Sequence, residues 1–172
     1  MTPGVFVGAS FYSGGAGHGE VALDGTTFDV GTTVVDLHGQ AQARGVDLRG
    51  LYARATIDDA SELNQVLGLD GTDGVAEAMH GGYLQVGYNV LSQVSAAGRV
   101  ALTPFFRYEY VDTQATMPEG FARSEATSNT FTTLGVEVKP IPSVVVKVDY
   151  GWVRNDDQVG VNQFNVGLGY AF

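Results

Sequence analysis

Cysteine is absent from this chain, which removes both a disulfide framework and thiolate chemistry. Cations are scarce, nine Lys and Arg against nineteen Asp and Glu for a net charge of −10. Phosphate binding needs clustered cations, so this balance argues against a nucleic-acid partner. Apolar residues reach 44%, yet no stretch approaches the roughly eighteen consecutive apolar residues of a membrane-spanning helix. No Pro/Gly/Ser-rich linker interrupts the 172 residues, so 1–172 reads as a single domain. The start, Met1-Thr2-Pro3-Gly4, lacks the charged and apolar regions of a secretory signal; an exported protein would have lost that signal, or been cut from something longer. The three histidines, His18, His38 and His80, lie on different segments without metal-ligand spacing, and no Gly-x-Ser-x-Gly elbow occurs. No enzymatic activity, cofactor or metal is therefore expected.

What the chain does contain is period-two alternation. Phe164, Val166, Leu168, Tyr170 and Phe172 alternate with Gln163, Asn165, Gly167, Gly169 and Ala171. The segment before it sets Val144, Val146, Val148, Tyr150 and Trp152 against Lys147, Asp149 and Gly151. Segments 131–139, 100–111 and 82–91 repeat the pattern, and three less regular strands are expected near 3–13, 28–43 and 45–57. In the third, Leu51 and Arg54 fall on the wrong faces, a mismatch that a bulge near Gly50 would repair. Long connections (14–27, 58–80, 112–128) and an intermediate one (154–160) alternate with brief links at Arg44-Gly45, 92–98 and Pro140-Ile141-Pro142. Short turns at one rim and long loops at the other are the signature of a transmembrane antiparallel up-and-down β-barrel, here of eight strands. The competing expectation is a soluble antiparallel sandwich, but aromatics near the strand ends suit a membrane-interface girdle better.

The run Val161-Asn162-Gln163-Phe164-Asn165-Val166-Gly167-Leu168-Gly169-Tyr170-Ala171-Phe172 resembles the closing strand of Gram-negative outer-membrane porins. Segments Gly8-Ala9-Ser10-Phe11-Tyr12, Leu48-Arg49-Gly50-Leu51-Tyr52-Ala53-Arg54 and Gly81-Gly82-Tyr83-Leu84-Gln85-Val86-Gly87-Tyr88 resemble the C-terminal half of larger porins related to the phosphate-selective group. The resemblance implies an outer-membrane location, with periplasmic termini, extracellular long loops, and lipid and lipopolysaccharide as surroundings. It also implies that the terminal aromatic and its alternate apolar neighbours are an assembly signal read by the barrel-assembly machinery. Such porins have about twice this many strands, which leaves open whether eight close alone and what the oligomeric state is.

Taken as inward-facing, Asp36, His38, Asp47, Arg49, Arg107, Glu109, Glu137, Lys147 and Asp149 form a mixed-charge lining. Such a lining is either a selectivity surface for a solvated pore or an ion-pair network that plugs a narrow barrel. A turn at Pro140-Ile141-Pro142 would put Glu137 opposite Val145 and diagonal to Lys147. Glycines 87, 135, 151, 167 and 169 on the same face would leave room for long side chains to cross. The long connections hold thirteen of the nineteen acidic residues, Asp112 among them, against Arg123 alone, a mouth suited to cations rather than phosphate. Asp59-Ala60-Ser61-Glu62 reads as a capping box opening a short helix that shows Leu63, Val66 and Leu67 on one side and stops at Gly68. The expected function is passive diffusion of small hydrophilic, preferably cationic, solutes. The alternative is a closed eight-stranded barrel with an anchoring or loop-mediated role.

Overall fold

The computed structural model describes residues 4–15, 23–25, 27–94 and 98–171. Eight strands follow in chain order: β1 (Gly4–Gly15), β2 (Gly31–Ala43), β3 (Val46–Ile57), β4 (Ala78–Tyr88), β5 (Ala101–Thr116), β6 (Ser128–Ile141), β7 (Val144–Asn155) and β8 (Gln163–Tyr170). Each pairs antiparallel with its chain neighbours in one up-and-down sheet of order β1 to β8. The sheet is open, with β1 and β8 as its two edges. A two-sheet sandwich is excluded, because all eight strands belong to one layer. Buried apolar residues are correspondingly few: Phe28, Val30, Phe105 and the alanines 60, 76, 78 and 101.

Local chemistry explains the connections. Arg44 and Gly45 both take positive φ, 50° and 87°, the type I′ geometry whose twist matches the strands it joins, β2 and β3. The β6–β7 turn is Pro142-Ser143, not the triplet expected from the prolines. It closes Ile141 onto Val144, and the ladder then shifts between Val138 and Ile141. Pro140 sits in that shift, the kind of place where a residue without an N–H is tolerated in a strand. One consequence corrects the expected register: Glu137 stands directly opposite Lys147, not Val145.

Three further expectations change. The β2–β3 and β3–β4 ladders run without interruption past Gly50, so no bulge rescues Leu51 or Arg54. The β4–β5 link is 89–100, longer than the brief 92–98 expected, and Asn89 organises it. Its side-chain oxygen accepts the Leu91 and Leu102 N–H groups at 3.1 and 3.2 Å, and its own N–H donates to Gly45 O at 2.7 Å. The helix α1 (Ala60–Val66) has no capping box, because Asp59 takes a left-handed φ of 52° and its side chain makes no cap bond. The helix buries Ala60 and Asn64 and leaves Leu67 exposed, and Gly68 at φ 65° ends it as expected.

The sheet has one polar and one apolar face. It also has two ends, the long-connection end (16–30, 58–77, 117–127, 156–162) and the turn end (44–45, 89–100, 142–143). At the long-connection end, β5 carries three residues opposite Met79 between the pairs Ala78–Thr116 and His80–Asp112. Gln114 lies in that bulge and ties neighbouring loops together: its Nε2 donates to Thr72 O and Gly74 O at 2.9 and 3.0 Å, while Ser124 N–H donates to its Oε1 at 2.8 Å.

Candidate functional site

The ladders put Asp36, His38, Asp47, Arg49, Arg107, Glu109, Glu137, Lys147 and Asp149 on the polar face. Their partners are not mainly across strands. Two residues apart on one strand, side chains share a face about 6.7 Å apart. Five strands use that spacing for opposite charges or an acid with an imidazole. Asp36 Oδ1 lies 2.6 Å from His38 Nδ1, and Asp47 accepts from Arg49 Nε at 2.8 Å. Arg107 pairs with Glu109, Lys139 with Glu137 at 3.1 Å, and Lys147 with Asp149 at 3.2 Å. Glu137 thus pairs with Lys139, a residue the sequence reading had not assigned to the site, and Lys147 takes Asp149 instead.

Each pair flanks one outward residue, Leu37, Leu48, Tyr108, Val138 or Val148. The repeated triplet of charge, apolar residue and opposite partner was therefore visible in the sequence as a recurring unit. Neutral partners complete the surface. Gln40 reaches Asp47 at 3.2 Å and Asn165 reaches Asp149 at 2.9 Å. The Arg107 guanidinium lies 3.8 Å from the Tyr83 ring centre, a cation–π contact. No buried side-chain polar atom among the described residues lacks a partner.

At Gly135 side chains of the two flanking strands meet across the strand between them. The Phe105 ring of β5 passes over it to within 4.8 Å of Lys147 Nζ on β7. A Cβ at 135 would meet Phe105 Cζ at 2.5 Å and Asp149 Cβ at 2.6 Å. Nothing lies within 4 Å of where a Gly167 Cβ would be, so the polar face is open beside that residue on the edge strand β8.

The acidic long connections are less bare than composition suggests. Asp112 belongs to β5 and is buried at 3% exposure. It receives Arg123 Nη2 at 2.8 Å and the Gln114 N–H at 2.9 Å, and Arg123 also reaches Asp156 at 3.1 Å. Desolvation opposes the Arg123 charge, but the Asp112 and Asp156 carboxylates hold its pKa above the usual guanidinium value. No group of metal-ligating residues occurs among the described residues.

On the apolar face Phe164, Val166, Leu168 and Tyr170 are 66–78% exposed, while Phe172 lies outside the described residues. Tyr88 and Tyr170 close their strands at the turn end; Tyr52, Tyr110 and Trp152 lie toward the other.

No family model and no solved structure matches the chain. It is similar to an uncharacterized protein of Aquifex aeolicus (strain VF5), with 32% identity over 120 residues. That alignment covers 67% of this chain and 27% of the relative, so the chain spans about a quarter of the length of the protein it matches.

Proposed function

We propose that this chain is barrel wall of an outer-membrane porin, its apolar face against lipid and its charged face lining a path for small hydrophilic, preferably cationic, solutes. One observation carries the reading: every strand leaves large apolar side chains exposed on the same face, Leu37 at 63% and Leu84 at 57% among them. A soluble sheet exposing so broad an apolar surface would aggregate or require a partner layer. Lipid serves as that layer, and the aromatics toward both strand ends suit its two interfaces. The polar residues then face a pathway, held in place by their i, i+2 partners. The acidic long connections favour cations at that mouth.

Trp152, the chain's single tryptophan, stands on the apolar face and makes the test direct. Refolded into vesicles, the protein should lose much of its Trp152 fluorescence when brominated lipids replace ordinary ones. Folded protein whose tryptophan is untouched by bromolipid would end the proposal.

The five intrastrand pairs support a second reading, a narrow eight-stranded barrel plugged by its own side chains and serving as an anchor or loop platform. Single-channel conductance separates the two.

A further inference from the structure

Four of the five intrastrand pairs of the polar face, three of them ion pairs and one an acid with an imidazole, point the same way. β2 runs toward the turn end and meets Asp36 before His38; β6 runs likewise and meets Glu137 before Lys139. β5 and β7 run the other way and meet Arg107 before Glu109 and Lys147 before Asp149. In all four strands the carboxylate is nearer the long connections and its partner nearer the turns. Only Asp47 and Arg49 on β3 are reversed.

The two ends extend the trend. Arg44 and Arg99 have no carboxylate partner among the described residues, and with Lys139 they line a cavity of about 850 Å³ at the turn end that contains no acidic side chain. The long connections are acidic, with Arg123 as their one cation among the described residues. Two other cations near that end, Arg54 and Arg154, sit on the apolar side of the sheet.

We infer that the polar face is polarised along the strand axis, negative toward the long connections and positive toward the turns, and that this gradient makes a pore lined by it rectify. The gradient belongs to the sheet; the rectification rests on the pore reading. With the long-connection side positive, cations enter from the acidic end and anions from the basic end, so both carriers accumulate. The opposite polarity withdraws each from the end that concentrates it, and conductance falls.

The cysteine-free chain allows single thiols to report the local potential. Asn129→Cys lies on the polar face near the long-connection end, and Val145→Cys on the same face near the turn end. In low salt, where screening is weak, each is labelled with cationic and anionic methanethiosulfonates of similar size. The cation-to-anion rate ratio should be roughly fivefold or more higher at position 129, since surface potentials of this kind reach several kT. The charge swap Glu137→Lys with Lys139→Glu should raise the ratio at position 145 without altering net charge. Equal or inverted ratios in the unswapped protein overturn the inference, whether or not the swap folds.

In planar bilayers, with an impermeant reagent on Ala126→Cys identifying the long-connection side, current should be roughly twofold larger when that side is positive. Conducting protein with a symmetric current–voltage curve would overturn the rectification. Labelling that shows the gradient in a protein that never conducts would confirm the polarised face and count against the pore.

Discussion

Gly135 shows how a single residue sets what the polar face can hold. Its missing side chain is the gap through which the Phe105 ring meets Lys147, and a larger residue would collide with both the ring and the Asp149 stem. Gly135→Val should therefore destabilise the folded protein by about 1–3 kcal/mol, the usual range for overpacking. The measurement is the shift in denaturant midpoint on refolding into detergent micelles; an unchanged midpoint would show that the ring simply moves aside. Arg123 sets a similar limit at the loops. Arg123→Gln leaves buried Asp112 with only the Gln114 N–H and a 3.4 Å contact from the Tyr110 hydroxyl, and should destabilise by about 1–2 kcal/mol. Protease nicking within 117–127 should rise in step, because the same guanidinium ties that loop to Asp156. At this scale alternation was enough to assign Asp36, Arg107 or Asp149 to a face. It could not assign partners. Glu137 was placed diagonal to Lys147 but stands directly opposite it, because cross-strand register depends on how a turn closes, and its ion-pair partner is Lys139 on its own strand. Asp112 was read as loop because the regular alternation was followed only to 111, whereas β5 runs on to Thr116 through a bulge.

Strands with strict alternation were legible almost to the residue, as β7 and β8 show, because one-residue slips would reverse both faces at once. The irregular places were not. Two prolines flanking Ile141 suggested a three-residue turn, but the chain spends Pro140 in a ladder shift and turns on Pro142-Ser143. Leu51 and Arg54 suggested a bulge, yet the register runs unbroken, with Leu51 between His38 and Tyr83 and Arg54 between Val35 and His80. Leu51 lies beside Ala53 on the polar face, and Arg54 can extend from the apolar one near the strand end. The capping-box pattern at Asp59 failed because the chain enters the helix through a left-handed residue there, not through the extended backbone of an N-cap, and its side chain makes no cap bond. β8 supplies the sharpest test at this scale. Leu168 is 78% exposed on the apolar face, and Leu168→Arg should destabilise the protein in vesicles by roughly 2–4 kcal/mol if the site lies near the bilayer midplane. The same substitution should be nearly silent in a water-facing strand, so unchanged stability would count against a lipid-facing β8.

In the whole molecule, the two open edges are what a membrane would not tolerate. β1 and β8 each carry a row of backbone N–H and C=O groups with no ladder partner, and in hydrocarbon each unpaired group costs several kcal/mol. Closing β8 onto β1 within one chain gives an antiparallel pair with continuous faces, but it encloses only eight strands. A barrel of that size has an interior just wide enough for side chains. Arg49, Arg107, Lys139, Lys147, Phe105 and Tyr83 all project from the polar face, and all four of the basic side chains are already paired with a carboxylate on their own strand. The 172-residue chain closed as a monomer should therefore conduct poorly or not at all in planar bilayers. A large, steady, cation-selective conductance would require more strands per pore than one copy supplies. The edges decide between these outcomes directly, because cysteines placed on β1 at Val7 and on β8 at Val166 or Leu168 form a disulfide only where those edges meet. Non-conducting protein should give a disulfide within one chain. Conducting protein should give a disulfide between chains, at a mass of at least two copies. An intrachain disulfide in protein that conducts freely would refute the argument from strand number, since it would mean that eight strands leave a water-filled path through the side chains that should close it.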